Sequence, residues 1–220
     1  MMERVPEPEL MDERVQARAY AGADFDEPNS QFVERFERHI GLPSGPVLDI
    51  GCGPGDIPLR LVRRFPELEV HGLDGAEAML ALARDALARE PALAGRLRFI
   101  AGRVPEVALP HAGYAAVISN SLLHHLHQPD ALWQMVRRVA APGAGVMVMD
   151  LFRPADREAA AEIVHAYAAN EPEVLRRDFF NSLLAAFTPD EVAAQLQRAG
   201  LVRLRVETIS DRHLLIHGTA

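Results

Sequence analysis

The sequence predicts a doubly wound α/β fold: a mostly parallel seven-stranded sheet with helices on both faces and a C-terminal antiparallel hairpin. Three observations predict it. Short apolar runs alternate with helical stretches from Pro46 to Leu151, the pattern of strands joined by crossover helices. A glycine turn, Gly51-Cys-Gly-Pro-Gly55, separates the first such run from the first helix. After Gly200, two alternating apolar stretches are joined only by Ser210-Asp211-Arg212, a connection too short for a parallel crossover.

Residues 1–41 are expected to form a helical appendage or lid on a domain that runs over 42–220. They are rich in charge and carry Pro6, Pro8 and Pro28. A helix is expected from Asn29 or Ser30 through His39, because Phe32, Val33, Phe36 and Ile40 fall on one face. The preceding Tyr20-Ala-Gly-Ala-Asp-Phe25 lacks strand alternation. It reads either as a loop anchored by Phe25 or as a lid over a pocket.

Within the domain, Val47 to Ile50 reads as the first strand and Asp56 to Phe65 as the helix after the turn. Glu69 to Leu73, Ala76 to Arg89, Leu97 to Ile100 and Ala115 to Ser119 continue the alternation. A helix from Pro129 to Ala140, a turn at Pro142-Gly143 and a strand from Gly145 to Leu151 complete the parallel part. The 152–187 insertion is expected to hold two helices, Ala155 to Ala169 and Pro172 to Leu184. Thr188 and Glu191 have capping-box spacing with Pro189 at the first helical position, and Gly200 ends that helix. Val202 to Ile209 and His213 to His217 make the hairpin. There is no internal repeat, and 220 residues suit one domain.

The bulk properties exclude several classes. No apolar run approaches the roughly 20 residues that span a bilayer; Pro142, Gly143 and Gly145 interrupt the longest one in the second half. The first residues lack a basic flank followed by an apolar stretch, so a cytoplasmic location is expected. Cys52 is the single cysteine, which leaves no intrachain disulfide and no cysteine metal cluster. The net charge is −8 and every basic residue is Arg or His, with Arg pairs scattered rather than clustered, so nucleic acid is a disfavoured partner.

Glycines at 51, 53 and 55 permit a tight turn that a ligand can approach closely. The nicotinamide dinucleotide fingerprint would place a further glycine at position 56, where Asp56 opposes a pyrophosphate at the helix start. Asp49 sits at the strand tip and can face a cationic amino group. Asp74 ends the second strand 19 residues after Gly55 (74 − 55 = 19), where a carboxylate can accept both hydroxyls of a ribose. Capping the next helix is its other use.

With Asp49, the glycines and Asp74, and with Leu123-His-His-Leu126 after the fourth strand, the chain resembles the class I S-adenosylmethionine-dependent methyltransferases, particularly small bacterial ones. The resemblance covers residues 45–151, and 188–219 in topology. It implies a Rossmann-like fold, S-adenosyl-L-methionine as cofactor, S-adenosyl-L-homocysteine as product and a small-molecule acceptor. It implies that Asp49, Gly51 and Gly53 hold the methionine part, that Asp74 holds the ribose with Gly75 passing close to it, and that Asn120 and Ser121 complete the methionine side. Relatives often carry an acidic residue near the adenine, where this chain reads Ala101-Gly-Arg-Val104. Arg103 and Val104 are therefore expected to flank the adenine.

Methyl transfer needs alignment and exclusion of water more than proton chemistry. His124 and His125 stand where a base for a protonated acceptor could sit, or they pack and orient their loop. Asp150, at the end of the fifth strand, either orients an acceptor or caps a turn. Metal binding is not expected, because adjacent histidines on a helix point apart. Tyr20, Arg153, Arg176, Arg177 and Asn181 are candidate acceptor-binding residues. Arg176 and Arg177 could fork onto an anion, or pair on the surface with Glu171, Glu173 or Asp178. Competing readings are an RNA or nucleotide methyltransferase, a dinucleotide-dependent oxidoreductase and a non-catalytic cofactor-binding module. Acceptor atom and oligomeric state are left open.

Overall fold

A computed structural model describes residues 2–10, 12–23, 25–111 and 113–220, the side chains of 14–16 excepted. Among them the strands are β1 (Val47–Ile50), β2 (Val70–Asp74), β3 (Leu97–Ala101), β4 (Tyr114–Asn120), β5 (Ala140–Leu151), β6 (Arg205–Thr208) and β7 (His213–Thr219). They form one sheet of order β3-β2-β1-β4-β5-β7-β6. The first five pair in parallel, and β7 joins β5 and β6 antiparallel. The helices are α1 (Arg14–Gly22), α2 (Asp26–His39), α3 (Asp56–Arg64), α4 (Glu77–Ala88), α5 (Asp130–Val139), α6 (Arg157–Ala168), α7 (Glu173–Ala185) and α8 (Pro189–Arg198). The seven-stranded fold read from the sequence is the observed one.

Side-chain alternation assigns each strand two faces. Leu48, Val117, Val146 and Val148 pack with Trp133, Val136, Val192 and Leu196 of α5 and α8. Val47, Ala116, Ile118, Met147 and Met149 pack with Phe32 and Phe36 of α2 and Leu61 and Val62 of α3. Such two-sided burial is what lets a parallel sheet form. Trp133 is fully buried and donates its indole N–H to Gln195 Oε1 at 2.9 Å, so α5 and α8 are joined by a polar bond as well as by packing. Both bonds of the Thr188–Glu191 capping box are present.

Four local expectations differ from the structure. Tyr20 lies on α1 rather than in a loop, because the helix buries Ala17 and packs a partly buried Tyr20 against Ala76 and Met79. Asp24, inside that stretch, lies outside the described residues. Helix α2 starts at Asp26, whose charge and that of Glu27 favour the helix N-terminus. The Pro142-Gly143 turn sits inside β5: Tyr114 pairs with Ala140 and Ala116 with Gly145, so the intervening residues bulge out with Gly143 at φ 77°. Strand β6 starts at Arg205, leaving Val202 exposed.

Candidate active site

The sheet order reverses between β1 and β4, the place where open α/β sheets bind ligands. Ser119 donates its hydroxyl to the Ile50 carbonyl at 2.7 Å, fixing these two strand ends together. The turn after β1 is pinned to its other neighbour, since Gly51 N and Cys52 N donate to Leu73 O at 2.7 and 3.0 Å. A cavity of about 880 Å³ opens above these ends.

Gly53 has φ 53°, and a Cβ there would meet no protein atom within 4 Å. The turn therefore leaves room on the cavity side. Asp74 accepts from Gly53 N through Oδ2 and from Ala76 N through Oδ1, both at 2.8 Å. Burial raises its pKa, against the lowering effect of those backbone bonds. Asp49 is buried, its Oδ1 has no hydrogen-bond partner, and its pKa is pushed up to about 8, by burial first and by the charge of Asp74 second. Asn120 Oδ1 is also buried without a partner and belongs to a residue of the cavity wall. Ser121 beside it has φ 54°, strain of the kind held at functional sites. Unsatisfied acceptors beside a glycine turn fit a ligand with a cationic amino group, and the Asp74 carboxylate suits a ribose. Gly51, Gly75, Arg103 and Val104 share this wall.

Farther along, a short 3-10 turn, Leu123–His125, carries the paired histidines. His124 Nδ1 and Asp150 Oδ1 are 2.5 Å apart, and Asp150 Oδ2 accepts from Leu123 N at 2.6 Å. Burial alone would lower the His124 pKa, but the charge and hydrogen bond of Asp150, with Glu7, hold it above the ordinary value. Burial pushes Asp150 up, and His124 more than offsets this, so its pKa is lowered. Burial and then the charge of His124 push His125 down to about 3.

The segment before α1 covers this turn. Arg4 Nη2 donates to His124 O and Leu126 O at 2.8 and 3.0 Å, and its Nε donates to Ala185 O at 2.5 Å. Ser182 Oγ of α7 donates to Glu7 Oε1 at 3.0 Å, and Glu9 Oε1 accepts from His127 N at 2.9 Å. A Cβ on Gly75 would meet Leu10 Cδ2 at 2.9 Å.

Residues 47–143 match the family profile described as a methyltransferase domain. Over this stretch the chain is similar to class I, S-adenosylmethionine-dependent methyltransferases. An uncharacterised methyltransferase of Mycobacterium bovis is 31% identical over 129 residues, which is 59% of this chain and 62% of that protein. Trans-aconitate 2-methyltransferase of Variovorax paradoxus is 31% identical over 150 residues, 67% of this chain and 54% of that protein. A solved S-adenosylmethionine-dependent methyltransferase of Aquifex aeolicus superposes with a TM-score of 0.67 at 17% identity, covering 94% of this chain and 98% of that one. The chain thus spans less than two thirds of the curated relatives named here.

Not every residue expected at the site lines the cavity. Tyr20 does, its ring 4.8 Å from that of Phe25. Asp49 and Asp150 lie behind the wall. Arg153 is buried elsewhere, donating to Met2 O, Ala186 O and Glu191 Oε1 at 3.1, 2.8 and 2.7 Å. Arg176, Arg177 and Asn181 face solvent on α7, while Asp178, Phe179 and Ser182 of the same helix line the cavity. Asp56 is turned to α2, accepting from Asn29 Nδ2 at 2.7 Å and from Arg60 Nε at 2.6 Å.

Glu7, Leu10, Met79, Phe179 and Arg212 are cavity or cover residues that the motifs do not flag. A weak signal existed only for Glu7, because the prolines on either side hold extended backbone.

Proposed function

We propose that this chain transfers a methyl group from S-adenosyl-L-methionine to a small-molecule acceptor held between the Leu-His-His-Leu turn and helices α1 and α7. The observation that carries this reading is the continuity of one cavity from the glycine turn and Asp74 to His124, His125, Tyr20 and Phe179. Its volume, about 880 Å³, is in the range of small-molecule sites. Glu9, Glu27, Glu106, Glu171 and Asp178 in its wall oppose a phosphodiester backbone.

In this reading Asn120 meets the amino-acid end of the cofactor with the Asp49 carboxyl behind it, Asp74 the ribose, and Arg103 with Val104 the adenine. When bound, the cofactor supplies an electrophilic methyl group on a sulfonium centre. His124, held through Nδ1 by Asp150, and His125 form the cavity wall beside the acceptor. Tyr20, Phe179 and residues 2–10 act as the lid that excludes water, which is the larger part of the catalytic task.

Titration calorimetry with S-adenosyl-L-homocysteine tests the cofactor half. Binding at micromolar concentration, weakened 10- to 100-fold in D74A, is expected, and no binding at millimolar concentration refutes it. Radiolabelled methyl transfer to a panel of hydroxylated and carboxylated small molecules tests the acceptor half. Turnover on structured RNA with none on the panel refutes it.

A further inference from the structure

The Leu-His-His-Leu turn holds a group of donor atoms that cofactor binding does not use. His124 commits Nδ1 to Asp150 Oδ1 at 2.5 Å, which leaves Nε2 as the nitrogen facing Glu7, 3.6 Å from Oε1. The same Oε1 lies 3.2 Å from His125 Nδ1. That Nδ1 is buried and has no hydrogen-bond partner, although the Pro8 backbone engages the ring as well. A carboxylate oxygen and an unpartnered imidazole nitrogen at this separation call for a positive charge between them.

The three atoms, Glu7 Oε1, His124 Nε2 and His125 Nδ1, lie within 4.8 Å of one another. A tetrahedral ion with ligand bonds of about 2.0–2.1 Å places neighbouring ligand atoms roughly 3.3–3.4 Å apart. The two Glu7 edges, 3.6 and 3.2 Å, bracket that value. Asp150 behind His124 is the carboxylate that orients a metal-ligating histidine and raises its basicity. Ser182 Oγ, donating to Glu7 Oε1 at 3.0 Å, orients the third ligand. The histidines are adjacent in sequence, yet the 3-10 turn brings their ring centroids to 4.2 Å, so the helical geometry that argued against a metal does not apply.

We propose that Glu7, His124 and His125 bind one divalent transition-metal ion such as Zn²⁺, with a coordination position open to the cavity. Two imidazoles and one carboxylate select this class over Mg²⁺ or Ca²⁺, which prefer all-oxygen sets. The inference rests on the reading of the cavity as an acceptor pocket for its consequence: the open position takes an oxygen of the acceptor, and a hydroxyl bound there has a lowered pKa. The ligand set itself stands without that reading.

Glu69, His71 and His111 form a second such group at the opposite end of the sheet, so the test uses the full chain carrying H111N. Zn²⁺ binding is measured by competition with a chromophoric chelator, and Co²⁺ binding by its visible spectrum. One equivalent is expected, with the intense visible bands of a four- or five-coordinate Co²⁺ site. E7Q and H125N are expected to lower affinity by at least tenfold, and D150N by 10- to 100-fold. Thermal stabilisation by S-adenosyl-L-homocysteine reports that each variant is folded and binds cofactor independently of metal. Absence of a zinc equivalent in the folded protein, or one whose affinity E7Q and H125N leave unchanged, overturns the proposal. Cofactor binding with no zinc binding refutes the metal site alone, and zinc binding without cofactor binding refutes the methyltransferase reading alone.

Discussion

Asp74 at the end of β2 accepts the backbone N–H of Gly53 at 2.8 Å. The carboxylate assigned to the ribose thus also fixes the turn assigned to the methionine, and the two halves of the cofactor cradle are mechanically one. Replacing Asp74 by Ala is expected to weaken S-adenosyl-L-homocysteine binding by 10- to 100-fold, because hydrogen bonds to a charged group are worth about 1.5–3 kcal/mol. Calorimetry with D74A and D74N checks this, with D74N retaining part of the affinity.

Two glycines separate affinity from stability. A Cβ on Gly53 meets only open cavity, whereas one on Gly55 would lie 2.7 Å from Phe99 Cζ and 2.9 Å from Ala83 Cβ. G53A is therefore expected to lose cofactor affinity at least tenfold while costing about 1 kcal/mol for its left-handed backbone. G55A is expected to cost more, about 2–4 kcal/mol, by adding overpacking. Urea unfolding beside ligand titration distinguishes them.

The Asp49 carboxyl gives stability a pH dependence. Its folded pKa of about 8 lies above the ordinary 3.8, so over that interval the folded state keeps a proton that the unfolded chain has released. Stability is then expected to fall as pH rises from 3.8 to about 8. Denaturant titrations at pH 5 and 8 should show this loss in the parent and a flatter response in D49N. A cationic amino group binding beside Asp49 is expected to release a proton, read as a buffer-dependent heat of cofactor binding.

Arg4 ties the cover to the body through three carbonyls, and its guanidinium lies 4.0 Å from the centroid of the Phe187 ring. R4A is expected to lower stability by about 1–3 kcal/mol and to speed proteolysis within residues 2–12. Mass mapping of early fragments checks it.

Arg176 and Arg177 face solvent. The double variant R176A/R177A is expected to change acceptor KM and cofactor affinity less than twofold. A larger shift would place the acceptor across the outer face of α7.

The sheet was legible because its signals are local: apolar runs of strand length, Gly51 to Gly55, and the short link between β6 and β7. Asp49 and Asp74 were legible because strand ends carry fixed spacings from the turn. Tyr20 was misplaced because α1 is short and built largely of Arg, Gln and Ala, and forms where it can pack on Met79. Glu7 had no motif, since its meaning depends on His124, His125 and Ser182, three residues more than a hundred positions away. Helix α7 shows the limit of composition: Arg176 and Arg177 belong to its outer face, and Phe179 and Ser182 to its inner one.

The bond from Arg4 to Ala185 spans 181 residues. Chains are made from the amino end at about 5–20 residues per second, so the cover waits roughly 9–36 seconds for the surface it will grip. Glu7 reaches Ser182 only after the same delay. A ribosome-bound chain synthesised only through β4 therefore has the residues of the glycine turn but not those of α7 that the cover grips, and the proposed acceptor chamber is among the last parts of the molecule to be completed.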